Sequence, residues 1–143
     1  MSVEKNVELH KRWFQEVWNE KRVATIKELL DDNFCGWGQD LPGVVIRGPK
    51  EFGVFFDRLN GAFPDMKVEL IDAFGAGDKT ALRWSAVMTH KGDHLGMPAT
   101  NKKVEITGIS IARFANDKII EGWDNWDQLS MMQQLSAAAA ASA

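Results

Sequence analysis

At 143 residues, 45% of them hydrophobic and 26% charged, the chain has the size and balance of one globular domain, which excludes a disordered or fibrous protein. A net charge of −3 without a Lys/Arg cluster gives no electrostatic footprint for a polyanion, so nucleic acid is not expected as a partner. Cys35 is the lone cysteine, which excludes an intrachain disulfide, and no apolar run has the length of a bilayer span. The first residues, Met1 to Asn6, lack the apolar core and small-residue cleavage site of a secretory signal, so a cytoplasmic location and no membrane partner are expected.

Val7, Trp13, Phe14, Val17 and Trp18 recur at helical spacing, which predicts an amphipathic helix over the first twenty residues. A second short helix is expected from Val23, Ile26, Leu29, Leu30 and Phe34, and Gly36, Gly38, Pro42 and Gly43 then mark an irregular stretch. Gly48-Pro49 opens a third helix carrying Phe52, Phe55, Phe56, Leu59 and Phe63, and Pro64 closes it.

From Met66 the period changes to 2, the signature of strands. In Thr80 to His90, one face holds Leu82, Trp84, Ala86, Met88 and His90. In the next strand Val104, Ile106, Gly108, Ser110, Ala112 and Phe114 share a face, and a turn at Asn116-Asp117 leads into Lys118 to Trp126. The opposite faces hold Thr107, Ile109, Ile111, Ile119 and Trp123. A sheet apolar on both faces needs cover on both, which points to a homodimer packed sheet to sheet or to cover by the chain's own termini. A last helix begins near Gln128 with Leu129, Met132 and Leu135. The expected domain is 1–136, and the alanine-rich tail 137–143 carries no function.

Helices followed by long strands, without alternation, define an α+β architecture rather than a doubly wound one. The N-terminal helices close the concave side of a curved, mostly antiparallel sheet, and an incompletely filled concavity there is a natural pocket for a small organic molecule.

Asp124 has the strand parity of Ile120, Gly122 and Trp126, so it faces apolar surroundings that raise a carboxylate's pKa and make it a better base. Asp127 is the better cap for the final helix. His90 is either a polar group of the pocket or a core histidine satisfied by backbone. Trp37, Trp84, Met88, Gly108, Ser110 and Trp126 are the candidate wall residues. No metal site is expected: His90 and His94 are four apart, but that spacing gathers ligands only on a helix, and Gly92, Gly96 and Pro98 argue against one. No cofactor is expected either, because Gly36 and Gly38 lack the strand-turn-helix setting of a phosphate loop. Ser85 and Ser110 lie in no pattern resembling a nucleophile elbow.

Two segments, Thr89 to Val104 (THKGDHLGMPATNKKV) and Arg113 to Asp127 (RFANDKIIEGWDNWD), with Gln134-Leu135 after them, resemble the SnoaL-like polyketide cyclase (ester cyclase) family of the NTF2-like superfamily of α+β cones. Gly48 to Phe52 and Phe63-Pro64-Asp65 extend the resemblance over nearly the whole chain. It implies a cofactor-independent aldol closure of a carbonyl-containing, polyketide-like ligand, with the catalytic aspartate falling on Asp124 and a pocket histidine on His90. The cyclases also carry a glutamine and a histidine at strand positions that are Gly108 and Ser110 here, small residues that would widen the pocket. The same scaffold hosts isomerases, cofactor-free hydroxylases and non-catalytic ligand-binding modules, and these stay open as alternatives.

Overall fold

Ser2 starts the fold by capping the first helix: its hydroxyl accepts from the backbone of Lys5 at 3.0 Å. The structure, a computed structural model, describes residues 2–141, with side chains to Ser136. Helix α1 (Val3–Trp13) continues into a π-helical segment, Phe14–Asn19. Phe14, Val17 and Trp18 of this segment are buried, as is Trp13 at the end of α1. Helix α2 (Ala24–Leu29) runs without a loop into strand β1 (Leu30–Trp37), and β2 (Val45–Arg47) leads into α3 (Gly48–Ala62). Pro49 occupies the first turn of α3, and Phe52, Phe55, Phe56 and Leu59 form its buried face. Strands β3 (Lys67–Ala76), β4 (Lys79–Thr89), β5 (Lys103–Ala115) and β6 (Lys118–Trp126) follow, and α4 (Gln128–Ala141) ends the described chain.

The six strands form one sheet in the order β2-β1-β6-β5-β4-β3, with β1 and β6 the parallel pair among antiparallel neighbours. The fold is thus α+β, with helices against the concave side. Where β6 ends, α4 takes its place beside β5. The Gln134 amide accepts from the Glu105 N–H at 3.0 Å and donates to its carbonyl at 2.7 Å, as a pairing strand would. Among the described residues, no helix is long and apolar enough to cross a membrane.

Three sequence expectations change. Phe34, expected on the second helix, is in β1. Helical periodicity ends at Leu30, because Asp31, Asp32 and Asn33 are poor helix formers and pairing with β2 and β6 takes over. The stretch at Gly36 therefore begins as strand. In β6 a bulge separates the Phe114/Ile119 and Arg113/Glu121 pairs, so Ile119 turns into the core in place of Ile120.

The convex face presents a continuous apolar row. Cross-strand register aligns Phe74, Ala81, Ile111, Trp123, Trp37 and Val45 across all six strands. Phe74 is 65% exposed and Ile111 39%.

Candidate active site

Asp124 sits on the concave side of β6, directly opposite Ser110 of β5. Leu82 of β4 pairs with Ser110, and Trp84, two residues further on, pairs with Gly108. From there the Trp84 indole lies across β5 and donates its Nε1–H to Ser110 Oγ at 3.0 Å. Glycine at 108 is what admits the ring, since a Cβ there would lie 2.3 Å from Trp84 Cζ2.

The third approach to Asp124 comes from the end of β1. Gly38 adopts a φ of +84°, and a Cβ at this position would stand 1.9 Å from the Asp124 carbonyl oxygen. Only glycine lets the chain pass so close to β6 in that conformation. The next residue, Gln39, is thereby turned inward and buried. Its carbonyl accepts from Trp126 Nε1 at 3.0 Å, and Gln128 Nε2 holds the neighbouring Asp40 carbonyl at 2.9 Å. Arg58 of α3 pairs with the Asp40 carboxylate and fixes the same loop to the helical layer.

Helices and sheet enclose a cavity of ≈ 90 Å³, walled by aromatic residues of α1, its π-helical extension, α3 and β4. Asp124 and His10 are the titratable groups lining it among the described residues. Burial pushes the Asp124 carboxyl up to about 6, and the neighbouring Ser110 and Gln39 side chains hold it from rising further. His10, on α1, is driven the other way by burial, to about 3, and is neutral. Its Nδ1 shares a hydrogen bond with Thr80 Oγ1 at 2.7 Å. An ionisable carboxylate in a largely apolar, partly closed site, with a neutral imidazole elsewhere on its wall, is suited to taking a proton from carbon.

Trp84, Met88, Ser110 and Trp126 line the cavity together with Asp124. Other expected site residues lie elsewhere. His90 is fully buried beyond the cavity, packed on Phe63 at 5.5 Å, and its Nδ1 accepts from the backbone N–H of Thr100 at 3.2 Å. Strand parity placed it on the correct face, but the concavity closes one step earlier, at Met88. It anchors the 91–102 segment rather than facing a ligand. Trp37 points to the convex side and stacks on Trp123 at 5.6 Å, because β1 is an extended strand here and not an irregular stretch. Gly108 does not widen the pocket: the Trp84 indole fills the space its missing side chain leaves. His94 lies against Gly61 of α3. Among the described residues no three His, Cys, Asp or Glu side chains gather as metal ligands would.

Sequence reasoning missed Gln39 and His10. The signal for Gln39 was its position beside Gly36 and Gly38, glycines that here allow close approach of backbone rather than a phosphate grip. For His10, the signal was its helical spacing with Trp13 and Phe14.

The architecture is an α+β cone over an apolar cavity with, among the described residues, one carboxylate on its wall. The chain belongs to the SnoaL-like polyketide cyclase family, whose model matches residues 8–135. Solved structures share the fold. One, from Jannaschia sp. CCS1 and provisionally designated a SnoaL-like polyketide cyclase, is 22% identical, with 94% of each chain covered and a TM-score of 0.86. Another, provisionally designated a polyketide cyclase, is from Acidithiobacillus ferrooxidans. It is 25% identical over 96% of this chain and 99% of that one, with a TM-score of 0.80. AclR of Streptomyces galilaeus, provisionally designated a hydroxylase, is 21% identical over 94% of this chain and 87% of its own, with a TM-score of 0.81. Among curated proteins, none matches the sequence.

Proposed function

We propose that this chain is a cofactor-independent enzyme that removes a proton from carbon next to a carbonyl, on a polyketide-like substrate. Asp124 takes the proton. The resulting enolate carbon then attacks a second carbonyl of the same molecule to form the new C–C bond, and the alkoxide oxygen takes a proton back; return of the proton to a different carbon would instead give isomerisation. The observation that carries this reading is Asp124 itself, the carboxylate lining the cavity among the described residues, raised to about 6 by burial. At neutral pH such a group is ionised yet a stronger base than an ordinary carboxylate. Trp84, Met88 and Trp126 supply apolar surface to hold the substrate.

The test is hydrogen-deuterium exchange at the acidic carbon of small β-keto esters, followed by NMR in heavy water. The wild type should catalyse exchange, and Asp124→Asn should lose it by roughly 10²–10⁴-fold while remaining folded. Oxygen consumption with an aromatic substrate would move the reading to a cofactor-free hydroxylase. No exchange, together with equal ligand binding by the wild type and Asp124→Asn, would leave a non-catalytic binding module.

We further infer that the protein is a homodimer joined through the convex apolar row. A two-fold axis parallel to the strands, between β5 and β6, would set Ile111 against the partner's Trp123 and Trp37 against the partner's Ala81. It would also bring Arg113, which pairs with Glu121 of its own chain, across from the partner's Glu121.

A further inference from the structure

The space around Gly108 and Ser110 on β5 is occupied by a group from the neighbouring strand. Trp84 Nε1 lies 3.0 Å from Ser110 Oγ. An indole N–H only donates, so Ser110 must accept with a lone pair and has its own proton free. An ionised carboxylate only accepts. Asp124 is the cross-strand partner of Ser110, on the same face of the sheet, and both line the cavity. The three side chains therefore have one polarity open to them: Trp84 N–H to Ser110 Oγ, and the free Ser110 proton toward its cross-strand neighbour Asp124.

We propose that Trp84 and Ser110 are positioning residues that fix the orientation and proton affinity of Asp124, with the indole locking the serine hydroxyl so that its proton points at the carboxylate. Gly108 belongs to the same device, because any side chain there would displace the indole from its line to Ser110. Without the indole, the hydroxyl is free to rotate toward other acceptors and the carboxylate loses a directed donor. Other groups facing Asp124 leave this control intact. Gln39 approaches from the β1 side and does not titrate, and His10 of α1 stays neutral on the cavity wall. On the flanking loop Asp40 is already paired with Arg58, and Asp127 caps α4 by accepting from the Ser130 N–H at 2.9 Å.

The proposal rests on Asp124 being the base, but it can be read without turnover. Carbon-13 NMR of the Asp124 carboxyl, titrated in the wild type, Trp84→Phe, Ser110→Ala and the double variant, measures the effect directly. Phenylalanine keeps most of the ring and removes only the N–H-bearing portion. In both single variants the pKa should rise from about 6 toward about 7, the change one charge-assisted hydrogen bond supports. The double variant should rise no further than Ser110→Ala alone, because the indole acts only through the serine. If the wild type exchanges substrate carbon protons, the ratio of the rate at pH 6 to that at pH 8 should fall about fivefold in both single variants, whatever either loses at pH 8 through substrate contact, a split that loosened packing would not produce. An unchanged Asp124 titration in Ser110→Ala overturns the proposal, and so does a rise in Ser110→Ala with none in a folded Trp84→Phe. If Trp84→Phe fails to fold, a Ser110→Ala titration at the wild-type value is enough to reject it. Should the wild type show no exchange at all, the carbon-acid reading fails while the titrations still decide the question of positioning.

Discussion

At the scale of single residues, Asp124 and His10 act on stability in opposite directions. Asp124 has a folded pKa of about 6, above its ordinary 3.8, so the folded state binds the extra proton between those values and stability falls as pH rises through that window. His10 has a folded value of about 3, below its ordinary 6.5, so the unfolded chain binds the extra proton and stability is lost as pH falls from 6.5 toward 3. Between pH 4.5 and 6 the two effects offset each other, which predicts a nearly flat wild-type profile there. Asp124→Asn removes one side of the balance. It is expected to be more stable than the wild type at pH 7 by about 1–3 kcal/mol, as an active-site carboxylate held against its solvation preference should be. Its melting temperature should then drop steadily between pH 6.5 and 4.5, whereas the wild type changes little. Thermal melts of both proteins across this range check the sign, and a variant less stable at pH 7 would contradict it.

At the scale of elements, the site is a meeting of strand ends whose approach depends on backbone more than on side chains. Gly38 is the closest point: its positive φ and the 1.9 Å that a Cβ would leave to the Asp124 carbonyl mean that Gly38→Ala must push β1 away from β6. The expected cost is about 3 kcal/mol, a loss of about 10 °C in melting temperature. Since Gln39 moves with that backbone, the Asp124 titration should also shift upward, which a carboxyl NMR titration of the variant would show. This dependence explains which parts of the site were legible in the sequence. Asp124, Ser110, Trp84 and Met88 lie on long strands, where period 2 assigns a face directly. Gln39 and Trp37 lie where a strand leaves the sheet, and one residue of register decides between cavity and convex surface, so pattern alone could not separate them. His90 had the correct parity, but how far the concavity reaches along β4 depends on where Phe63 and the 91–102 segment pack, which is long-range information. The bulge that exchanged Ile120 for Ile119 is likewise set by pairing with β5 rather than by local sequence. Helix α3, by contrast, was fully legible, because Gly48-Pro49 starts it and its aromatic stripe has one clear period.

At the scale of the whole molecule, the sheet is asked to serve two sides. The concave side is closed by the chain's own helices, while the convex row from Phe74 to Val45 ends with large apolar side chains in solvent, Phe74 at 65% and Ile109, beside the row, at 50% exposed. A contiguous apolar band of this kind is characteristic of an interface. The proposed axis between β5 and β6 places Ile111 near its centre, where a charge would be buried against the partner's Trp123. Ile111→Lys is therefore expected to convert a dimer to a monomer at micromolar concentration, while Val54→Lys, on the exposed side of α3, should leave the dimer intact. Light scattering coupled to size exclusion distinguishes the two states. Because Ile111 pairs with Ala81 and Trp123 and has the strand parity opposite to Ser110, its substitution acts on the convex face. A dimeric Ile111→Lys would reject this face as the contact, and a monomeric wild type would reject the dimer itself. In the monomeric variant the Asp124 titration should stay at its wild-type value, since every group that controls it belongs to the same chain.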